Sequence, residues 1–481
     1  MPENGRQQRR SAMLSLRCVP ALTARGIHTP AYLRSGLPGV VHLGLGAFHR
    51  AHQALVFDDL LRRGDARWGV LGVAMRSTSV ADTLAAQDGL YSVQLASSAG
   101  ASWQVGGAIW RTCVATREPQ QVVQTIAAAS TRWITVTVTE KGYQPALAAL
   151  LVQGLAQRRN AGLPGLTIAS CDNLADNGRK LQALCSQAAR QQNDDALADW
   201  VATVCCFPNS VVDRIVPAVS ATSLAAAEQA LGVPDRAAVC TEQFWEWVVE
   251  RRFVDPSDAQ VLATVGVTVV DNVAPFQEAK LRLLNGSHSA MACIGAVAGL
   301  PVISDCIAVP AIGGFIHGLM TDEVGPQLQR PDWPAYRDAL LARFANPALQ
   351  HSVHQIATDS SQKIPQRWAP AVRDALRAGL PITRLAFGAA AWMRYCRGVD
   401  EAGRAYALSD PHAESLQTAA RRHAGDSHAT FDSLGRLPEV WGDVLPQQGQ
   451  WRSAVITQLE QISAQGILAA AGATAHALNK T

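Results

Sequence analysis

Lys280, Asn285 and His288 lie within the nine residues KLRLLNGSH. An amine, a carboxamide and an imidazole so close together can hold or move a proton and donate hydrogen bonds to a polar ligand. In an α-helix each residue turns about 100°, which sets His288 at about 80° and Asn285 at about 140° from Lys280. All three can then face one cleft. Leu284 and Leu281, at about 40° and 100°, fall in the same arc, so the face mixes polar and apolar groups as the wall of an enclosed site does.

Such a helix needs a start and a scaffold. Asp271 and Asn272 are N-cap types and Pro275 suits a first helical turn, so the Lys280 helix is expected to begin there. Beyond it the pattern is helical, notably over 335–345, 370–378 and 453–478, while Gly425–Gly435 and Pro446–Gly449 read as flexible surface loops. Before it, strands and helices alternate. Gly39–Leu43 is a buried-type strand running into the turn Gly44-Leu45-Gly46-Ala47-Phe48-His49-Arg50, followed by helical spacing up to Leu61 and a stop at Arg62-Arg63-Gly64. Further strands are expected at Trp68–Val73, Trp133–Val138, Leu166–Ala169 and Val201–Cys206.

This is the start of a dinucleotide-binding α/β sheet. Gly44 permits the tight turn and Gly46 lets a pyrophosphate approach the backbone, while His49 stands where a third glycine is usual. Polar residues come after the strands: Thr139-Glu140-Lys141-Gly142, Ser170-Cys171-Asp172-Asn173, then Asn209 and Asp213. Ligands of open α/β sheets bind at these carboxyl ends, so Gly44, Gly46, Ala47, Phe48, Arg76, Thr139 and Glu140 are the expected cofactor contacts. The second strand runs into Met75-Arg76-Ser77-Thr78 with no acid to hold a ribose 2′-hydroxyl; Arg76 and Ser77 can instead receive a 2′-phosphate.

Composition narrows the partners. The 481 residues are 48% hydrophobic and 17% charged, with net charge +3, enough for a large core in two or more domains and too little field for nucleic acid or an anionic membrane. A small molecule is the expected ligand. No apolar run reaches the roughly 20 residues that span a bilayer, and the basic N-terminus lacks the continuous apolar stretch of a secretory signal; a frayed tail and a cytoplasmic location are expected. Ten dispersed cysteines show no zinc spacing and read as reduced thiols, Cys171 being the one beside candidate site residues.

With these elements placed, the chain resembles the mannitol dehydrogenase family, the polyol-specific long-chain dehydrogenases that include fructuronate reductase. The matching stretches are VHLGLGAFHRAHQA (41–54), TVTEKGY (137–143), SCDN (170–173), FPNSVVDRIVP (207–217), KLRLLNGSHSA (280–290), NPALQH (346–351), SQKIPQR (361–367) and WMRYCRGVDE (392–401). The resemblance implies an α/β Rossmann-type N-terminal domain over 39–270, preceded by a tail and lead-in over 1–38, with a mainly α-helical C-terminal substrate domain over 271–481. It implies metal-independent hydride transfer between NAD, or alternatively NADP, and a secondary alcohol of a sugar alcohol or sugar acid. Lys280 matches the general base, Asn173 and Asn285 the carboxamides that bind the reacting oxygen, and His288 the substrate-orienting imidazole. Asp213, Lys363 and Gln355 match further substrate positions. No oligomeric state is implied.

The chemistry suits these types. A base must take the hydroxyl proton as hydride leaves; a lysine does so only when neutral, which desolvation or a nearby cation such as Lys363 favours. Two amides can stabilise charge on the oxygen. The chain departs from the family pattern in a short segment between Tyr143 and Leu166, a Ser at 360 where glycine is usual, and Gln355 where some polyol enzymes carry arginine. Two other readings are a cofactor-binding homologue with weak turnover and a dehydrogenase of the hydroxyacid or phosphogluconate kind.

Overall fold

Val40–Leu43 is buried at every position, as an inner strand of a sheet covered on both faces must be. In the computed structural model, which describes residues 13–97 and 100–476, this is β1. It is followed by β2 (Val70–Ala74), β3 (Tyr91–Ser97), β4 (Gly100–Gly106), β5 (Ile109–Val114) and β6 (Trp133–Val136). Then come β7 (Thr167–Ser170), β8 (Ser210–Asp213), β9 (Val239–Glu242), β10 (Glu246–Glu250) and β11 (Thr268–Val270). The main sheet has the order β5-β2-β1-β6-β7 and is parallel throughout, with Val40 opposite both Val70 and Trp133. This is a doubly wound order whose switch point lies between β1 and β6, where a ligand crevice forms.

Alternation along β1 divides the core. Val41 and Leu43 join Ile126, Leu151, Leu155 and Leu181, while Val40 joins Phe57, Leu60, Trp68 and Trp133. The first cluster is capped by helices Pro119–Ala127, Pro145–Asn160 and Asn177–Gln191. Tyr143 leads almost directly into the second of these, which is the short connection seen in the sequence. Two three-stranded sheets, β11-β10-β8 and β4-β3-β9, complete this part of the chain.

Three sequence expectations are corrected here. Val201–Cys206 is not a strand: Asp194 accepts a hydrogen bond from the Leu197 N–H at 2.8 Å and starts a helix over Asp195–Val204, leaving only Cys206 to bridge Thr167. The frayed tail is named for residues of which 1–12 lie outside the described region; from there on the chain is built in, with Leu14 and Leu22 buried against Leu90, Val105 and Leu231. Gly425–Gly435 contains the helix Ser427–Leu434, because Asp426 caps Ala429 N–H and Phe431 and Leu434 supply a buried face.

The chain divides into two compact units, one ending at Val273 and the other beginning at Ala274. The second unit is helical among its described residues. At its centre runs Ser287–Ala298, buried at every position but the last, the mark of a helix surrounded by others; Val353–Ala357 and Thr383–Tyr395 are among its neighbours. Ahead of it, Ala274–Ala279 is α-helical, but Lys280–Gly286 is a π-helix, against the expectation of continuous α-winding. Among the described residues no helix is long and apolar enough to cross a membrane.

Candidate functional site

At the end of β1 the chain turns through Gly44, with φ of +106°. A Cβ there would lie 2.1 Å from the Thr137 carbonyl oxygen, so only glycine fits. Gly46 is open instead: a Cβ meets nothing nearer than the Gly44 carbonyl oxygen at 3.7 Å, which leaves the backbone accessible to a ligand. His42 braces the turn from below. Its Nε2 lies 3.0 Å from the Gly44 oxygen and 2.9 Å from Thr137 Oγ1, and its Nδ1 2.8 Å from Thr135 Oγ1. Burial holds this imidazole at about 3, so it is neutral. His49, in place of a third glycine, stacks on it.

A cavity of about 430 Å³ opens at the carboxyl ends of β1, β2 and β6. Gly44, Gly46, Arg76 and Thr139 line it as expected. Ala47, Phe48 and Glu140 are not among its lining residues; Phe48 stacks on His52, ring centroids 5.1 Å apart. Met75, Ser77, Thr116, Lys141 and Gln144 also line the cavity. Ser77 and Lys141 are polar residues the sequence sets after strands of the main sheet, Ser77 as a partner for a 2′-phosphate; Met75, Thr116 and Gln144 were not named as ligand contacts, although each comes after a strand and could have been found by that rule. The glycine turn, the open backbone at Gly46 and the cavity at the switch point fit a dinucleotide.

Asn173 is exposed on the turn after β7. That turn is pinned on both sides. Asp172 accepts the N–H groups of Val138 at 3.2 Å and Thr139 at 2.8 Å, and Asn177 Nδ2 donates to the carbonyls of Ser170, Asp172 and Ser210. Thr139 sits at φ +63°, a conformation costing on the order of 1–3 kcal/mol for a non-glycine residue; the Asp172 contacts help hold it. Cys171 is buried and burial pushes its thiol up, the setting of an inert thiol. Asp213 ends β8 and is buried. Its neighbour Arg214, which in isolation reads as half of a surface ion pair, donates instead to the carbonyls of Ala51 and Glu242 from a buried position.

In the second unit Lys280 is buried, with 7% exposure, at the start of the π-helical turn. A π turn closes five residues on rather than four, so Asn285 comes closer to alignment with Lys280 than the α-helical arc allows. Two side chains clasp this turn from outside. Arg367 Nη1 donates to the Asn285 carbonyl at 3.2 Å and to Ser289 Oγ at 2.6 Å, and Trp368 Nε1 donates to the Gly286 carbonyl at 3.0 Å.

His288 is buried, its ring centroid 5.0 Å from Phe344 and 4.9 Å from His351. Its Nε2 and the Nδ1 of His351 are buried without a hydrogen-bond partner. Lys363 Nζ donates to the Ile356 carbonyl at 3.0 Å; burial first, then the Arg367 charge, hold it at about 8. Burial and then Lys363 hold His351 at about 4, and burial first, then the neighbouring His351, Arg367, Arg343 and Lys363, hold His288 well below the usual histidine range. At neutral pH the imidazoles are therefore uncharged beside two cations. Gln355 is exposed on Val353–Ala357, the same short helix whose Ile356 carbonyl holds Lys363. Ser360, in place of the usual glycine, accepts from Trp392 Nε1 at 3.0 Å. Arg367 and His351 are site residues that sequence reasoning missed; Arg367 stands four positions after Lys363 on one helix, the spacing that places side chains on a common face.

The arrangement has relatives. Sequence models of the mannitol dehydrogenase Rossmann domain and the mannitol dehydrogenase C-terminal domain match residues 38–259 and 272–463. Uncharacterized oxidoreductase YeiQ of Escherichia coli is 37% identical over 466 residues, covering 91% of this chain and 94% of its own length. Mannitol 2-dehydrogenase of Phaeosphaeria nodorum is 35% identical over 490 residues, covering 95% and 84%. Among solved structures, Pseudomonas fluorescens mannitol 2-dehydrogenase in ternary complex with NAD and D-mannitol superimposes with a TM-score of 0.83 at 29% identity, over 97% of this chain and 100% of that one. The chain belongs to the mannitol dehydrogenase family of oxidoreductases.

Proposed function

We propose that this chain catalyses hydride transfer between a nicotinamide dinucleotide and a secondary alcohol of a sugar alcohol or sugar acid, with Lys280 as the general acid and base. The observation that carries the proposal is Lys280 itself: a lysine with 7% exposure, opening a π-helical turn five residues before Asn285. Only the neutral amine takes a proton. When bound, the nicotinamide accepts or gives the hydride. The groups that would hold the dinucleotide are Gly44, Gly46, Arg76 and Thr139 in their cavity.

The remaining roles belong to protein side chains. Asn173 and Asn285 serve as carboxamide donors to the reacting oxygen, whose developing negative charge such donors stabilise. Arg367 fixes the Asn285 backbone. Neutral His288 orients a hydroxyl through a nitrogen that has no protein partner. Asp213, Lys363 and Gln355 complete the substrate contacts implied by the family resemblance. Lys363 and Arg367 favour a substrate carrying a carboxylate, which a cationic pocket binds more tightly than a neutral polyol; of the two family pairs, this supports fructuronate with mannonate over fructose with mannitol.

Initial rates with fructose and fructuronate, each with NADH and NADPH, test the reading, and no turnover with any polyol or uronate would sink it. Lys280→Met should lower kcat by about 10²–10⁴-fold, the usual worth of a positioned acid or base, and leave dinucleotide affinity unchanged. Unaltered kcat would remove Lys280 as the base.

A further inference from the structure

We infer that the dinucleotide cavity selects for a 2′-phosphate through Arg76, so that NADP is preferred over NAD. The inference rests on the proposed function, because it takes the cavity to be the dinucleotide site. Its own basis is the charge census at the end of β2.

An NAD-selective sheet of this kind places a carboxylate beyond the second strand to accept the ribose 2′-hydroxyl, and an arginine nearby is the feature that accommodates a 2′-phosphate. Here β2 ends at Ala74, and Met75-Arg76-Ser77 come next. All three line the cavity, and no Asp or Glu is among its described lining residues. Arg76 is exposed. Among the described residues it has neither an ion pair nor a hydrogen bond, so its fork of donors is uncommitted.

Ser77 is free in the same sense. It occupies the N-cap position of Thr78–Ala86, yet its side chain makes no capping hydrogen bond, although serine at this position normally spends its hydroxyl on the backbone. The next acid in sequence, Asp82, is already engaged, pairing with Arg117 at 2.9 Å. The mouth of β2 therefore offers a planar cation and a hydroxyl, and nothing to repel a phosphate dianion. A guanidinium binds such a group through two parallel charge-assisted hydrogen bonds; a ribose hydroxyl offers it far less.

The test is calorimetric titration of the full chain with 2′,5′-ADP and with 5′-AMP, which separates the 2′-phosphate from the rest of the cofactor and needs no turnover. The expected result is at least about tenfold tighter binding of 2′,5′-ADP, equivalent to about 1.4 kcal/mol, with a steep loss on raising salt. Arg76→Ala should bring the two affinities together, and Arg76→Lys should restore part of the difference, since charge survives but the fork does not. Arg76 makes no contact that folding depends on, and circular dichroism verifies each variant. Equal or tighter binding of 5′-AMP overturns the inference while leaving the dinucleotide reading standing. A preference that persists in Arg76→Ala removes Arg76 as its source. Failure of both nucleotides, and of NAD and NADP, to bind overturns the proposed function together with this inference.

Discussion

Replacing Arg367 by Met separates the folding role of this residue from its role in the site. The substitution removes donors to the Asn285 carbonyl and to Ser289 Oγ. Hydrogen bonds to a charged group contribute roughly 1.5–3 kcal/mol each, or about 3–6 kcal/mol together. Against this, burial holds the guanidinium at about 10 rather than 12.5, so keeping it ionised at neutral pH costs on the order of 3 kcal/mol that Met does not incur. The net loss is about 0–3 kcal/mol. For a unit of this size each kcal/mol shifts Tm by roughly 2–4 °C, so Arg367→Met should melt less than about 12 °C below the parent. Its effect on the site should be larger. Asn285 loses its backbone tether, and Lys363 loses the cation that is the second cause, after burial, of its value near 8. Lys363 should therefore hold its proton to higher pH. If protonated Lys363 binds the substrate carboxylate, 1/KM falls as pH rises through about 8 in the parent, and this limb moves upward in the variant while kcat drops. The assays are scanning calorimetry and kcat and KM between pH 6 and 10.5. A limb that does not move, with kcat unaltered, refutes the argument.

Two further outcomes can be checked. Gly44→Ala drives a Cβ to within 2.1 Å of the Thr137 carbonyl at φ +106°, so dinucleotide affinity should fall at least about tenfold as the turn shifts; calorimetric titration of a variant with parental circular dichroism measures it, and retained affinity would show that the turn tolerates a side chain. Glu323 is fully buried, accepts the N–H groups of Arg384 and Leu385 at 2.7 Å and 2.9 Å, and is raised by burial from 4.5 to about 7. The folded state binds the proton more tightly than the unfolded state between these values, so this residue's contribution to stability is present below about 4.5 and is lost as pH rises through about 7. Denaturant titrations at pH 5 and pH 8 should show the stability difference between parent and Glu323→Gln changing by up to about 3 kcal/mol in that direction; a difference independent of pH would place the titration elsewhere.

The sheet is legible because its strands announce themselves twice, by buried runs and by the turns that succeed them. Val40–Leu43 and Trp133–Val136 are short, β-branched or aromatic, and lead into glycine or polar turns. Val201–Cys206 has the same apolar content and is helical. What decides it is Asp194, a cap lying outside the window that reads as strand. Ser427–Leu434 misleads differently: glycines at 425 and 435 look like loop punctuation, while the cap at Asp426 between them and the pair Phe431 and Leu434 outweigh them. Local composition identifies the apolar segments, and single capping residues choose between their conformations.

The candidate site is legible in its chemistry and not in its geometry. Lys280, Asn285 and His288 can be named from nine residues, but nothing in KLRLLNG marks a π turn. Such a turn is an unfavourable local choice, uncommon and found mostly as single-turn bulges, so it needs support from elsewhere. Here the support comes from Arg367 and Trp368, each 82 residues from the carbonyl it binds. A pattern read one helix at a time has no access to contacts at that distance. The same two residues explain why the turn is useful as well as why it persists: clasping the carbonyls of Asn285 and Gly286 fixes the backbone beneath the Asn285 amide and leaves that side chain free of the job. Arg367 also faces Lys363 and His288 electrostatically. One guanidinium thus couples the winding of the Lys280 segment to the charge around Lys363 and His288, and a change at 367 must disturb both at once, whereas a change at Trp368 should disturb the winding alone.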